Sequence, residues 1–360
     1  MSDDNTNDEP RGLYERMKDQ DERWELWAQL GVGLLVCQVL AFIVAYLSLG
    51  MPSVYAYSVG ISFFGVLTIP LTFWGLLRAL FKPPVMRLSR TIAFGCLLLV
   101  GVAGNAPLLT APVSTSDYES AHDYQLPFDD QWVTMAGGDE RKYNYHATTM
   151  VHRYGYDFAP VVDGQRYEGD GSALEDHYCY EAVVRAPVGG EVIRRLGNEP
   201  DNEPGEYDAN NILGNHVVIE VEPGEYLFMA HMREGSLEVS VGDVVDAGDP
   251  VGECGSSGRT QTPHLHVHLQ NSREFPLAES LPLYFVDYVA DGEPVERGMP
   301  RGSEDYDETP GQIVENQRSW SEMRGAGSID DDDGGDDDPS AVDAADQVRQ
   351  AAEEHTEEPE

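Results

Sequence analysis

The chain has 360 residues and carries 64 acidic against 23 basic residues, a formal net charge of −41. This length allows a membrane module together with one soluble domain that has a core of its own. The acid excess extends through the chain, which argues against nucleic acid as a partner and is typical of a protein from an extreme halophile, where the surface must stay hydrated in concentrated salt.

Three apolar segments follow the polar N-terminal segment 1–23. No charged residue occurs from Leu26 to Leu77, and a break at Gly50–Ser53 divides this stretch into two. A third uncharged stretch runs from Thr91 to Ser116. A signal peptide has one short apolar region, so the sequence instead predicts three transmembrane helices within residues 24–113, embedded in the lipid bilayer.

Basic residues mark one side of these predicted helices. They precede the first helix and recur between the second and the third, whereas the loop around residues 50–58 has no charge. They are Arg11, Arg16, Lys18 and Arg23, then Arg78, Lys82, Arg87 and Arg90. The positive-inside rule predicts a multi-pass protein of the cell membrane, with its N-terminus in the cytoplasm and everything after the third helix outside the cell.

A mainly β domain is predicted after a linker at residues 114–139. Short β-branched runs such as Val217–Val221 and Tyr226–Met229 are separated by Gly and Pro, which is typical of strands, and we place this domain at residues 140–302. From Ser303 to Glu360 there are 20 acidic and 3 basic residues. Such a composition predicts a disordered acidic tail at residues 303–360.

Two cysteines, Cys179 and Cys254, lie in the predicted soluble domain. No C-x-x-C pair occurs in the chain, so zinc or redox chemistry based on cysteine is unsupported. We expect both to be small buried residues, with a disulfide between them as the alternative if the domain lies outside the cell.

The run Pro263–His268 alternates histidine with apolar residues. In a strand, the period of two places all three imidazoles on one face, with Leu265 and Val267 in the core. One histidine on a polar face is usually just solvated. Three histidines on one face of a strand are well suited to binding zinc.

Two further elements carry potential zinc chemistry. His231 lies near the end of an apolar run that begins at Tyr226, and Asp157 lies in an extended run that begins at His152. Two histidines and a carboxylate are a standard catalytic zinc set, which leaves a fourth position for water. No H-E-x-x-H run occurs, so a thermolysin-type glutamate base is excluded.

The order of these motifs, a His/Asp element, then Ala-His, then Gly-Ser-Ser-Gly followed by Pro-His-Leu-His, resembles the lysostaphin or LytM-type metallopeptidase family. The resemblance covers residues 140–290 and includes the runs at 186–192, 214–219 and 241–248. It implies an antiparallel β-sheet or sandwich fold, Zn²⁺ as the cofactor, and a metalloendopeptidase that acts on peptide or envelope-protein substrates.

The resemblance also assigns roles by position. It implies His266 and Asp157 as zinc ligands and His231 and His264 as catalytic residues. His264 would take the proton of the attacking water, and His231 would stabilise the oxyanion or protonate the leaving amine. His268 lies outside the family motif, and we expect it beside the metal site rather than on the metal.

The first zinc ligand departs from the family pattern, because Arg153 stands where the family has histidine. His146 is the favoured substitute and requires the chain to loop out before Asp157. His152 is the alternative and requires a bulge, for which Gly155 is well placed.

Two functions follow from the resemblance. One is an active metalloendopeptidase, and the alternative is a catalytically silent envelope-binding or regulatory module anchored in the membrane. In a halophilic archaeon, which lacks murein, the expected substrate is a surface-layer protein or another envelope peptide.

Overall fold

The computed structural model describes residues 26–47, 49–81, 88–104, 115–304 and 310–327. These residues form N-terminal helices, a mainly β domain and a short C-terminal helix. The predicted cytoplasmic segment and most of the acidic tail lie outside the described residues.

The N-terminal helices follow the predicted apolar segments. Helix α1 spans Leu26–Tyr46, and α4 spans Leu88–Gly104. Between them, the short helix α2 spans Met51–Tyr55 and α3 spans Ser62–Phe81. A π-helical turn at Ala56–Ile61 joins α2 to α3. Gly50, with a φ of 68°, is the residue before α2, and Pro52 occupies its first turn, where no intrahelical N–H is needed.

Two of these helices are long and apolar enough to cross a membrane, namely Leu26–Tyr46 and Met51–Arg78. The third predicted span is shorter among the described residues, where its apolar part is Thr91–Gly104. The prediction of three spanning helices is therefore corrected to two candidate spans and one shorter apolar helix.

Small residues bring these helices close together. A Cβ added to Gly65 would lie 2.6 Å from the Cα of Gly104, and one added to Gly75 would lie 2.8 Å from the indole of Trp27. Without those side chains the helix backbones approach closely, as is common between helices in membranes. The start of α1 thus lies beside the end of α3, and the start of α3 lies beside the end of α4.

The soluble domain is built on one antiparallel sheet. Among the described residues it has 11 strands, in the order β12-β11-β13-β1-β2-β9-β6-β5-β4-β7, with β10 paired to β9. Strands β3 and β8 form a separate pair. The strands are β1 Trp132–Ala136, β2 Tyr156–Pro160, β3 Val183–Arg185, β4 Gly190–Leu196, β5 Asn215–Glu222, β6 Glu225–Met232, β7 Val244–Val245, β8 Pro250–Glu253, β9 Leu265–Gln270, β10 Ser280–Leu281, β11 Phe285–Ala290, β12 Glu293–Gly298 and β13 Ile313–Asn316. The prediction of a mainly β antiparallel domain is confirmed.

The central strand β9 shows how the alternating sequence determines the two faces of the sheet. Leu265, Val267 and Leu269 are fully buried in the main hydrophobic core, where each contributes about 1.5–3 kcal/mol. The residues between them point to the other face. His266 and His268 are therefore on the face that carries the polar site.

The sheet reaches beyond the predicted domain limits at both ends. Strand β1 lies in the predicted linker and pairs with β2. Strand β13 lies in the predicted tail, pairs with both β1 and β11, and buries Val314 completely. The prediction of disorder from Ser303 onward is therefore wrong for residues 313–316, because a short apolar run completes the sheet despite its acidic surroundings. The rest of the acidic stretch includes helix α5, Trp320–Gly327, and residues 328–360, which lie outside the described residues.

The two soluble-domain cysteines form a disulfide. The Cα atoms of Cys179 and Cys254 are 5.5 Å apart, and the bond joins positions separated by 75 residues. Both side chains are buried in the main core. The expectation of two free buried cysteines is corrected, because β8 brings Cys254 beside the segment that precedes β3.

One loop of the β domain contacts the helices. Met150 packs in a buried cluster with residues at the end of α1 and in the π-helical turn, which are Ala41, Ala45, Tyr57 and Ile61. The hydroxyl of Tyr57 donates a hydrogen bond to the carbonyl of Thr148 at 3.3 Å. The loop from Tyr145 to His152 is thus seated on one end of the helices.

Candidate functional site

Asp157 and His266 form the centre of the site. They lie directly opposite each other on the neighbouring strands β2 and β9, and the His266 Nδ1 is 2.7 Å from the Asp157 Oδ1. Opposite residues in an antiparallel pair point to the same face. The strand register therefore explains why residues 109 positions apart in sequence meet.

His146 reaches the same carboxylate from outside the sheet. It lies in a short 3₁₀ helix, Tyr145–Thr148, and its Nε2 is 3.0 Å from the other oxygen of Asp157. The side chain of Asn144 accepts a hydrogen bond from the His146 backbone N–H and donates to the carbonyl of Gly155. Asn144 thereby attaches the short helix to the turn that leads into β2.

His152, the alternative ligand, lies farther from the centre. It precedes β2 in a turn closed by a hydrogen bond from the Gly155 N–H to the His152 carbonyl, and its ring centroid is 5.8 Å from that of His266. The bulge expected between His152 and Asp157 is absent among the described strand pairs. Gly155 serves another purpose, because a Cβ there would lie 3.0 Å from the ring of His266.

The donor set of this centre fits zinc. One ligand atom from each of His146, Asp157 and His266 lies within 4.8 Å of the others, and all three side chains are buried. Ligands about 2.0–2.1 Å from a tetrahedral ion lie roughly 3.3 Å from each other, close to the 2.7 and 3.0 Å separations here. Two imidazoles and one carboxylate are a chemically suitable set for Zn²⁺.

His264 and His231 flank this centre with fixed ring orientations. The His264 Nδ1 lies 2.9 Å from the carbonyl of Thr262, and the His231 Nδ1 lies 2.9 Å from the carbonyl of Ser257. A carbonyl only accepts, so both rings carry their proton on Nδ1. The Nε2 of each ring is therefore unprotonated in the neutral form, and that of His264 is 3.6 Å from Asp157 Oδ1.

The backbone of His231 is strained. Its φ is 63°, in the left-handed region that non-glycine residues rarely adopt. Backbone hydrogen bonds to Leu213 and from Gly255 hold it in place. Such strain is often found where a side chain must be aimed at a functional site.

A chain of hydrogen bonds runs along β9 behind His266. The His266 Nε2 is 2.9 Å from the His268 Nδ1, and the His268 Nε2 is 3.2 Å from the Gln270 Oε1. The Gln270 amide donates in turn to the carbonyl of Ser272. With Nδ1 of His266 directed to a metal, every donor in this chain meets an acceptor, as outer partners of metal-bound histidines commonly provide.

The charges of the site suit a cation. Burial lowers the pKa of His266, and it holds the pKa of His231 and of His268 well below the usual range. Burial alone would raise the pKa of Asp157, but the imidazoles of His146 and His264 outweigh it and hold this pKa well below its usual range. Neutral imidazoles and an ionised carboxylate are the forms that ligate metals.

The centre opens into a cleft of about 480 Å³. One wall is the loop at Tyr145–Thr149, and the other includes Ile212, Leu213 and Arg259. All five residues that the sequence singled out first, His146, Asp157, His231, His264 and His266, line this cleft, and His152 lines it as well. His268 is fully buried behind His266, beside the ring of Phe228.

Some residues of the site were not found by sequence reasoning. The hydroxyl of Tyr145 donates to Asp157 Oδ2, and Gln270 ends the chain of hydrogen bonds behind His266. Gln270 follows the alternating histidines at the same period of two, which was a usable signal. The carbonyls of Ser257 and Thr262 carry no side-chain signal in the sequence.

Comparison with known proteins identifies a family for part of the chain. Residues 177–276 match the family model described as peptidase family M23. No curated protein shows significant similarity to the chain.

Similar solved structures include several peptidases, at low similarity. They include a zinc-containing peptidase from Vibrio cholerae (20% identity, 49% of this chain and 39% of that chain, TM-score 0.27). They also include the catalytic domain of the prophage-encoded M23 protein EnpA from Enterococcus faecalis (21% identity, 44% of this chain and 95% of that chain, TM-score 0.30). A third is lysostaphin from Staphylococcus simulans (18% identity, 45% of this chain and 52% of that chain, TM-score 0.26). The chain spans about two fifths of the length of the Vibrio protein and about half that of lysostaphin.

The motifs in order and the matched family model agree: residues 177–276 match peptidase family M23, and the ordered motifs resemble its lysostaphin/LytM-type members.

Proposed function

We propose that this chain is a membrane-anchored zinc metalloendopeptidase that cleaves peptide bonds in extracellular or cell-envelope substrates. M23 peptidases are generally zinc metallopeptidases that cleave cell-wall peptides. The observation that carries the proposal is the meeting of a buried ligand set, formed by His146, Asp157 and His266, with two oriented histidines in one cleft.

His146, Asp157 and His266 would hold the metal. Zinc bound there would act as a Lewis acid and lower the pKa of water toward neutrality, so that no strong base is needed. Asp157 presents one oxygen to each histidine. The hydrogen-bond chain through His268 would keep the Nδ1 lone pair of His266 directed to the metal.

His264 is the better placed general base. Its unprotonated Nε2 lies 3.6 Å from the Asp157 carboxylate, which would stabilise the imidazolium formed when His264 takes a proton from the attacking water. His264 can then return this proton to the leaving amine.

His231 is neutral at rest because it is buried, and its Nε2 is then an acceptor. It would accept the second hydrogen of the attacking water and so hold this water in place. Stabilising an oxyanion or protonating the amine, as the family resemblance implies, requires His231 to acquire a proton first.

The completeness of the site favours an enzyme over a silent binding module. A silent module would be expected to lack a ligand or a catalytic histidine. Here Arg153 stands where the family has a histidine ligand, and His146 would take the place of that ligand. Both His231 and His264 line the cleft.

Two observations support a domain outside the cell. The disulfide between Cys179 and Cys254 is typical of oxidising compartments. The β domain also contacts the helices at the end of α1, whereas in the sequence the basic residues precede the start of α1 and follow α3. By the positive-inside rule those basic residues mark the cytoplasmic side.

The test is cleavage of the host envelope by the purified full-length chain in detergent, zinc and high salt, with new peptide termini identified by mass spectrometry. We expect His264→Ala to retain zinc and to lose about 10²–10⁴-fold in turnover, the usual contribution of a general base. His266→Ala should lose both zinc and turnover.

The matched control is His177→Gln. His177 is a buried histidine outside the cleft, and its Nε2 bonds to the Gly171 carbonyl. A glutamine amide can replace that bond. The His177→Gln variant should retain both zinc and turnover. If the zinc-loaded wild type releases no new termini, the silent envelope-binding module becomes the better assignment.

A further inference from the structure

A second group of potential metal ligands lies at the turn between β5 and β6. One ligand atom from each of His122, Glu222 and Glu225 lies within 4.8 Å of the others, and the His122 Nε2 is 3.6 Å from the Glu222 Oε2. Glu225 begins β6 and His231 lies six residues later, about 20 Å along the strand. This group is therefore separate from the catalytic cleft.

Several polar atoms in this group are buried without a partner. Glu225 is 0% exposed, and its carboxylate oxygens lie beside the phenols of Tyr118 and Tyr124 without reaching hydrogen-bond geometry with any of the described residues. Among the described residues, His122 Nε2 is also buried without a hydrogen-bond partner, although Glu222 Oε2 is 3.6 Å away. Unpaired buried polar atoms are rare in folded proteins, and an unpaired buried carboxylate is especially costly.

The charge here is negative and uncompensated. Neither Glu222 nor Glu225 forms an ion pair with a Lys or Arg among the residues that the structure describes. The phenol of Tyr118 lies nearby, and burial together with the charges of Glu225 and Glu222 raises its pKa to about 12. Burial and the charge of Glu225 likewise raise the pKa of Tyr124. A bound cation would balance this charge.

We propose that His122, Glu222 and Glu225 bind a divalent first-row transition-metal ion of the zinc type. Two carboxylates supply the charge, and one imidazole favours such an ion over Ca²⁺ and Mg²⁺, which prefer all-oxygen ligands. The hydroxyl of Tyr124 is a further oxygen beside the same carboxylate.

The role of this site is to attach the segment that leads from the helices to the sheet. His122 lies on this segment, and the two glutamates lie on the β5–β6 turn. Next to His122, the segment is already held by backbone hydrogen bonds from Val286 to Tyr124 and from Gln125 to Pro187. A shared ion would join the segment to the turn as well, and so stabilise the folded domain by mass action.

Metal stoichiometry tests the proposal on the full-length chain, treated with chelator and then dialysed against Zn²⁺, Ca²⁺ or Mg²⁺. We expect two Zn²⁺ per wild-type chain, one in Glu225→Gln, one in His122→Ala and one in His266→Ala. The double variant His122→Ala with His266→Ala should bind none. Glu293→Gln removes an exposed carboxylate on β12 and should still bind two.

Thermal unfolding provides the second measurement, which keeps the test informative if Glu225→Gln fails to fold. Zn²⁺ should raise the Tm of His266→Ala by about 5 °C, the effect of an ion at about 100 times its Kd. The rise should vanish when His122→Ala is added. The proposal is overturned if His122→Ala binds as many Zn²⁺ as wild type, or if Ca²⁺ or Mg²⁺ fills the site as well as Zn²⁺ does.

Discussion

At the scale of residues, the chemistry of this site depends on what each histidine contacts. His264 and His231 are oriented by backbone carbonyls, whereas His266 is oriented by a carboxylate on one side and His268 on the other. A hydrogen bond at one ring nitrogen determines what the other nitrogen can do. Histidines in one cleft can therefore serve different roles, some as metal ligands and others as proton carriers.

The first prediction concerns the first metal ligand. His146→Ala should lower zinc affinity at least about tenfold, because its Nε2 is 3.0 Å from Asp157. His152→Ala should lower it less, since His152 contacts this centre through its ring only. Zinc titrations of the two variants decide between them, and a greater loss in His152→Ala would reverse the assignment.

The second prediction concerns the hydrogen-bond chain behind His266. Gln270→Met should lower zinc affinity about 10–100-fold, since it leaves the buried N–H of His268 without its acceptor at 3.2 Å. Leu269→Met, a change of similar size on the opposite face of β9, is the matched control and should bind zinc as wild type does. Equal affinities for all three chains would show that this chain of bonds does not position His266.

At the scale of elements, the last strand of the sheet is the main departure from what composition suggests. Strand β13 lies between β11 and β1, and β1 is paired to β2, which carries Asp157. The side chain of Asn316 bonds to the backbone of Leu126 and Phe128. An element from the acidic region thus supports the strand next to the metal ligand.

The third prediction is that the position of a truncation decides its effect. Ending the chain after Arg318 should preserve zinc binding and Tm, because β13 is kept. Ending it after Gly302 removes the buried Val314 and the three Asn316 hydrogen bonds. That loss amounts to about 4–6 kcal/mol of the roughly 5–15 kcal/mol typical of a domain.

Thermal unfolding of the two truncated chains measures this effect. An unchanged Tm for the shorter chain would mean that β13 does not stabilise the sheet and would restore the expectation of a disordered tail from Ser303.

At the scale of the whole molecule, the number of membrane crossings decides where the β domain lies. Two crossings would return the chain to the side of its N-terminus, whereas three would place the domain on the opposite side. The end of α4, at Gly104, lies against Gly65 at the start of α3. Helix α4 is thus packed along its neighbours, although its apolar part, Thr91–Gly104, is shorter than the two candidate spans.

The fourth prediction tests the side of the membrane. A cysteine placed at the exposed position Pro200 should react with an impermeant thiol reagent on intact cells, because the proposed location of the domain, which its disulfide supports, is outside the cell. The chain without the added cysteine is the control, because Cys37 and Cys96 are free thiols, whereas Cys179 and Cys254 are joined in a disulfide. Reaction only after lysis would place the domain inside and remove envelope substrates from the proposal.

The sequence by itself determined the features that depend on local periodicity. Apolar runs of helical length predicted the N-terminal helices, and the alternation of His266 and Val267 predicted which side chains of β9 share a face. The ordered motifs indicated the family, and the roles that they suggest for His231 and His264 stay predictions. All of this information lies within short windows of the chain.

Only the tertiary structure decided the features that depend on long-range pairing. The register of β2 against β9 places Asp157 opposite His266, and His146 rather than His152 contacts that carboxylate. Strand β13, the disulfide and the cluster at Glu225 likewise join segments far apart in sequence. Such contacts form because burial and pairing energies are gained across the fold, and no short window of sequence records which distant segment will be the partner.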